Sequence, residues 1–324
     1  MQVREFTDGC DVAQALLVRE VEMRKRRDGS DYLRLLLGDR TGSVPAVVWE
    51  DVERVRECCL LGQVVYVTGR FGVHQRYGPQ LAIAQLRNAA EHEYRRDALV
   101  DGPARSADQM ETDLRELLNT VQNPHLRRLL RSVFGDGSQM WRRYRDAPAA
   151  KIYHQAYQHG LLEHSLTVAQ AVSALSPIFA GIDRDLAVTG ALLHDIGKLD
   201  AYLLDGGTVA MADEGRLQGE IPLGYYRVRR AIESIDGFPE GLAQAVLHII
   251  LSHHGTLEYG SPVVPCTREA TLVHMVDNLG GRLGSFDRLE KQLPAGEQWS
   301  AYDKALGGGA YFAARGVEQQ RAAA

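Results

Sequence analysis

A histidine followed directly by an aspartate closes the apolar run Ala191-Leu192-Leu193, giving His194-Asp195-Ile196-Gly197-Lys198. The pair offers a ring nitrogen and a carboxylate from adjacent backbone positions. His164 lies upstream in Leu161-Leu162-Glu163-His164-Ser165-Leu166. His253-His254 follows the apolar stretch 246–251, and Asp277 interrupts Leu272-Val273-His274-Met275-Val276. A carboxylate buried in such a stretch without a partner costs several kcal/mol. The chain must therefore fold so that these polar groups meet, which it does if four helical stretches point them at one interior position. A single His-Asp pair occurs often by chance, and a lone histidine on an apolar helix is ordinarily a core residue with one hydrogen bond. The joint pattern carries the argument. Imidazole with carboxylate, and no thiolate nearby, suits a hydrolytic centre using manganese, iron, cobalt, nickel or magnesium rather than a structural zinc knot.

At 324 residues the chain is long enough for two domains with separate cores. Its net charge of −5 excludes a protein that coats nucleic acid by bulk positive charge, but leaves room for a local basic face. Cys10, Cys58, Cys59 and Cys266 form no CxxC pair, which fits a reducing cytosol. The first five residues lack a signal peptide's apolar core, and no run approaches the ~18 apolar residues of a membrane span. The expectation is a cytoplasmic protein with no membrane partner.

Residues 1–90 read as one small β-barrel domain. Strands are expected at 15–23, 32–37, 43–49, 63–70 and 80–86, with a short helix at 52–61 between the third and fourth. A charged hairpin tip at 24–30, the turn Asp39-Arg40-Thr41-Gly42 and the turn Tyr77-Gly78-Pro79 punctuate them. Three strands, a helix and two strands in this length make a five-stranded OB-fold barrel. Such barrels bind single strands by stacking bases on aromatic side chains beside basic groups. Trp49, Phe71 and Tyr77 are the aromatic candidates, with Arg40, His74 and Arg76 for phosphates; half of the aromatics belong in the barrel core, and the Arg76-Tyr77 loop tip is the favoured pair.

The character changes near Glu91. Residues 91–106 are polar and contain Asp101-Gly102-Pro103, so 91–145 is expected to be linker and connecting helices, with a break at Asn123-Pro124. Residues 146–306 form a helical domain, with helices at 161–175, 184–193, 225–234, 241–252 and 267–279. The tail 307–324, opening with Gly307-Gly308-Gly309, is expected to be loose. The class is multidomain α+β, a barrel followed by an all-α bundle.

The constellation resembles the HD-domain phosphohydrolases, whose four core metal ligands fall here on His164, His194, Asp195 and Asp277. The resemblance implies that Asp195 bridges when two ions bind. Members with a two-metal site carry extra histidines, matched by His253 and His254. Where they also carry a Gly-His step, this chain has Gly219-Glu220, and Glu220 can still ligate a hard cation. Closer still, Pro148-Ala149-Ala150-Lys151, His154, Gly160-Leu161-Leu162-Glu163-His164-Ser165-Leu166, Leu251-Ser252-His253-His254-Gly255 and Gly260-Ser261-Pro262-Val263-Val264-Pro265 resemble the YhaM family of 3′→5′ exoribonucleases. The likeness runs from about residue 5 to 305 and departs at His154-Gln155, where the family doubles a histidine.

That resemblance implies one or two divalent ions, manganese first and iron, cobalt, nickel or magnesium as alternatives. It also implies removal of nucleotides from single-stranded RNA, with single-stranded DNA as a second substrate. Asp195 and Lys198 are the expected catalytic residues, the lysine one turn from His194 and within reach of a phosphate oxygen. Gly197 is read as giving phosphate close backbone access, or as a helix cap. His159 and His274 are read as packing, and Arg227, Arg229 and Arg230 as a solvated helix face. One rival is hydrolysis of a nucleotide or cyclic dinucleotide; Gly255-Thr256-Leu257-Glu258 lacks the Gly-Tyr-Pro signature of the latter group. The other rival is a non-catalytic single-strand-binding protein, which only Glu220 favours. A homo-oligomer is left open.

Overall fold

Strict alternation of apolar residues builds the first of the two compact units in the computed structural model. The structure describes residues 1–312 except 27–28, 75–77, 101, 104, 151–154, 206–207 and 294–296, and does not cover the side chains of 97, 205, 208 and 292. Strands β1 (Asp11–Lys25), β2 (Asp31–Asp39) and β3 (Gly42–Val48) lead into helix α1 (Val52–Cys58), then β4 (Val64–His74) and β5 (Gly78–Asn88). They close a barrel in the order β1-β2-β3-β5-β4, with β3 and β5 parallel and the other pairs antiparallel. This is the OB arrangement. Leu33, Leu35 and Leu37, then Val44, Ala46 and Val48, then Val65 and Val67 all point inward at the two-residue period of a strand. Asp39 locks the β2–β3 turn: Oδ1 accepts the Thr41 N–H (2.7 Å) and hydroxyl (2.6 Å), and Oδ2 accepts the Val3 N–H at 2.8 Å. The strands outrun their sequence-based bounds because their polar ends continue the pairing without the alternation that marks the middle.

A short helix α2 (Arg96–Leu99) follows within the stretch read as linker. The second unit then takes in α3 (Ala107–Thr120), α4 (Pro124–Phe134), α5 (Gln139–Asp146), α6 (Gly160–Leu175), α7 (Arg184–Leu193) and the four-residue α8 (Lys198–Ala201). A two-stranded hairpin, β6 (Tyr202–Asp205) and β7 (Thr208–Met211), precedes α9 (Asp213–Gln218), α10 (Glu220–Glu233), α11 (Glu240–Ser252) and α12 (Arg268–Gln292). The Asn123-Pro124 break falls as expected. The Asn123 side chain accepts from the N–H groups of His125 and Leu126, capping α4, and Pro124 occupies the first turn where its missing donor costs nothing.

Four features differ from the sequence reading. Helices α3–α5 are no tether, because Met110, Leu114, Leu126, Phe134, Trp141 and Tyr144 enter the same core as Leu161, Leu193, Val246 and Val273. The β6–β7 hairpin interrupts the helical domain. Helix α10 starts at Glu220, with Pro222 in its first turn where the missing donor costs little, and α12 runs on through Gly280, Gly281 and Gly284, residues that ordinarily weaken a helix, to Gln292. The segment from Phe286 onward groups with the barrel unit. There the Gly307–Gly309 stretch is not loose: Asp303 pairs with Gly308 and Trp299 with Tyr311, while 313–324 lie outside the described residues. Among the described residues, no helix is long and apolar enough to cross a membrane.

Candidate metal centre

Two of the ligand candidates sit at helix ends, where the last carbonyls have no intrahelical donor. His194 caps α7, and its Nδ1–H donates to the Ala191 carbonyl at 2.7 Å. His253 caps α11 and repeats the geometry on Ile250, also at 2.7 Å. His254 Nδ1 meets the Tyr259 carbonyl at 2.8 Å, and His164, on α6, meets Gln155 Oε1 at 3.1 Å. A carbonyl oxygen only accepts, so each ring carries a hydrogen on Nδ1 and turns Nε2, bare in the neutral ring, towards the centre. Metal-binding histidines are oriented in this way.

The four Nε2 atoms converge on Asp195 and Asp277. His164 Nε2 lies 3.2 Å from Asp195 Oδ2 and 3.1 Å from Asp277 Oδ1, while His194 Nε2 is 3.2 Å from the same Asp195 oxygen. The other Asp195 oxygen, Oδ1, faces His253 Nε2 at 3.5 Å. Neither of these last two buried atoms has a hydrogen-bond partner, so two electron-rich atoms face each other with nothing between them to bond. Each such orphan costs about 1–3 kcal/mol. A cation bound between them satisfies both. Ligand atoms of His164, His194 and Asp195 lie within 4.8 Å of one another, and so do those of Asp195, His253 and His254. The two groups share Asp195, whose Oδ2 faces His164 and His194 and whose Oδ1 faces His253, and a third group, His194, His253 and Asp277, overlaps both. Glu220, first residue of α10, lies 3.9 Å from His254 Nε2 and borders the second group. With imidazole and carboxylate donors throughout, the site fits a divalent ion of the harder or borderline kind.

Electrostatics point the same way. Burial opposes the charged form of His164, but hydrogen bonds to Asp195 and Asp277 outweigh it and lift its pKa to about 9. Burial also opposes ionisation of the two acids; Lys198 and His194 nevertheless hold Asp195 well below the usual carboxylate range, and His164 and His194 do so for Asp277. Burial and the neighbouring His253 push His254 down, so that it stays neutral. The centre thus selects for positive charge, supplied by a proton when no ion is bound. That proton must leave His164 before Nε2 can ligate. Ion affinity is therefore expected to rise roughly tenfold per pH unit from neutrality towards about 9 and to level off above it. Calorimetric titration across that range checks this, and a flat profile would remove His164 from the ligand set.

Lys198 opens α8 and its Nζ donates to Asp195 Oδ2 at 2.6 Å, so in this structure it is the acid's counter-ion. Gly197 caps the start of α8 and is closely packed. A Cβ there would stand 1.9 Å from the Glu220 carbonyl and 2.5 Å from the Gly224 nitrogen, so glycine lets α10 press its backbone against the doublet turn. Gly219, at φ 78° and ψ 156°, adopts a conformation essentially closed to other residues and aims Glu220 into the helix start. His274 donates to the His253 carbonyl at 2.7 Å and steadies that turn, whereas His159 donates to the Arg145 carbonyl. Arg227 is not a solvated cation, since it pairs with Asp200.

On the barrel, Trp49 is 46% exposed, its ring stacked on Tyr32 at 5.0 Å with the Arg26 guanidinium 4.6 Å from its centroid. Arg40 is exposed beside the β2–β3 turn and His74 is exposed at the end of β4. Phe71 is a correction: it lies in the barrel core against Phe6 at 5.6 Å, and a ring enclosed there has no free face for a base. Its inward register was not separable from outward in a strand bounded by glycines. Arg76 and Tyr77, like His154, lie outside the described residues.

Comparisons with known proteins match both the barrel and the helical part of the chain. A family profile described as an HD domain matches residues 161–280, and one described as an OB-fold nucleic acid binding domain matches 18–88. The protein named 3′-5′ exoribonuclease YhaM from Geobacillus sp. (strain WCH70) is 30% identical over 285 residues, covering 87% of this chain and 86% of its own length. Its namesake from Bacillus pumilus (strain SAFR-032) is 28% identical over 297 residues, covering 91% of this chain and 92% of its own length.

Proposed function

The chain belongs to the family of YhaM 3′-5′ exoribonucleases, and from that premise we propose that it shortens single-stranded RNA from the 3′ end at the centre described above. In this reading the barrel, residues 1–90, holds the strand, and the helical domain, residues 146–306, cleaves it. Single-stranded DNA is a second substrate. The observation that carries the hydrolytic assignment is the meeting of His164, His194, Asp195 and Asp277 around acceptors that lack partners.

A divalent cation, when bound, supplies Lewis-acid polarisation of the phosphate and a nucleophile at neutral pH. His164, His194, Asp195 and Asp277 would hold it, with Asp195, His253, His254 and Glu220 available to a second ion. Manganese is the proposed metal, supported by the mixture of imidazole nitrogens with three carboxylates. Asp195 keeps its charge in a buried setting and so sustains the negative potential that attracts the ions. Lys198 offsets that charge and brings an ammonium group to where the phosphate oxygens gain charge, a preorganised arrangement of the kind that stabilises a transition state. Burial of His164, His194, Asp195 and His253 limits water around these groups and strengthens each electrostatic contact.

Incubation of a 3′-labelled and a 5′-labelled RNA oligonucleotide with the protein and Mn²⁺ tests the proposal. Stepwise shortening from the 3′ end is expected. An intact oligonucleotide alongside hydrolysed mononucleotides, or tight binding without turnover, would overturn it. Trp49→Ala is expected to weaken strands long enough to reach the barrel by about 1–3 kcal/mol, the value of one stacked base, and to spare dinucleotide cleavage. Equal losses for both lengths would take Trp49 out of the strand's path.

A further inference from the structure

We propose that Gln155, held by Glu163, is a positioning residue that sets which nitrogen of His164 faces the metal centre. The inference rests on reading His164 as a metal ligand and goes one layer outward from it. Glu163 is the fixed point. Its Oε2 accepts from the Tyr157 hydroxyl and from Gln155 Nε2, the latter at 3.3 Å. With Gln155 Nε2 donating to Glu163, the NH₂ end of the amide faces Glu163 and the carbonyl end faces the other way. That carbonyl oxygen lies 3.1 Å from His164 Nδ1. Because Oε1 only accepts, His164 keeps a hydrogen on Nδ1, so that Nε2, 3.2 Å from Asp195 and 3.1 Å from Asp277, is the nitrogen left to ligate.

Each step is forced by the one before it. His194, His253 and His254 take their orientation from backbone carbonyls, which cannot rotate independently of the chain. His164 lies in the second turn of α6 and not at a helix end, and its Nδ1 is met by a side chain. Gln155 also holds an uncommon left-handed backbone at φ 59°, with its carbonyl accepting the Ala149 N–H at 3.1 Å. A non-glycine residue keeps such a conformation where its surroundings impose it.

The test is Mn²⁺ affinity of the full chain, measured by calorimetry beside its melting temperature, for the wild type, Gln155→Leu, Glu163→Leu, the exchange Gln155→Glu with Glu163→Gln, and His164→Ala. Gln155→Leu keeps the bulk and removes the acceptor, and is expected to weaken ion binding 10–100-fold with little change in melting. The exchange variant restores an acceptor beside His164 and a donor beside that acceptor, so it is expected to recover most of the affinity. A purely structural role for Gln155 predicts no such rescue. Wild-type affinity in Gln155→Leu overturns the proposal while the ligand assignment stands. Should that variant not fold, wild-type affinity in Glu163→Leu, which frees the amide to turn over, overturns it equally. Wild-type affinity in His164→Ala instead removes the metal-ligand reading on which the proposal rests.

Discussion

Asp195→Ala is expected to lower hydrolysis by on the order of 10³-fold and to leave oligonucleotide binding close to that of the wild type. Asp195 belongs to two of the three overlapping ligand groups among the described residues, and its two oxygens face different histidines. Removing it takes the carboxylate from both of those groups at once and leaves only His194, His253 and Asp277 together. Binding survives because the exposed aromatic and basic side chains of the barrel do not depend on this acid. The substitution has a second consequence that has to be separated from the first. It strands the buried Lys198 ammonium, whose partner it is at 2.6 Å, and breaking a buried pair from one side costs about 3–5 kcal/mol. Asp195→Ala combined with Lys198→Met is therefore expected to regain thermal stability without regaining activity. Full activity in the single variant would mean that the centre is misassigned.

Gly197→Ala is expected to destabilise the helical unit by about 3 kcal/mol, at the upper end for an added methyl in a packed interior. The cost is steric and not conformational, because φ at this position is −67° and any residue adopts it. The added carbon would lie 1.9 Å from the Glu220 carbonyl, and that neighbour is backbone. Helix α10 must then move away from the doublet turn, carrying Glu220 with it. The melting temperature is expected to fall by about 6–12 °C, and Mn²⁺ stoichiometry to drop where a second ion occupies the side bordered by His254 and Glu220. A variant that melts like the wild type would mean that the contact relaxes at no cost, leaving Gly197 free for some other role.

Much of the architecture was legible because it depends on neighbours in the chain. Leu33-x-Leu35-x-Leu37 declares a half-buried strand by its period alone, and Asn123-Pro124 declares a helix start by the donor it caps and the donor it lacks. The four candidate ligands stood out for a different reason. Only certain side chains bind cations, and finding His164, His194, Asp195 and Asp277 inside apolar stretches leaves few ways to satisfy them.

What local pattern could not reach are distinctions decided by residues far apart. Phe71 is as apolar inside the barrel as outside, and only closure of β4 against its neighbours put it against Phe6. That Gly197 also makes room for the backbone of α10 depends on a helix more than twenty residues away. Gln155 read as a departure from a motif, yet folding set its amide against His164. The order of amino acids determined which elements form and which side chains were available for chemistry, because both follow from period and functional group. Tertiary structure alone decided which nitrogen faces inward, which backbone needs a missing side chain and which helices share a core. Those outcomes depend on contacts that close only when distant segments pack together.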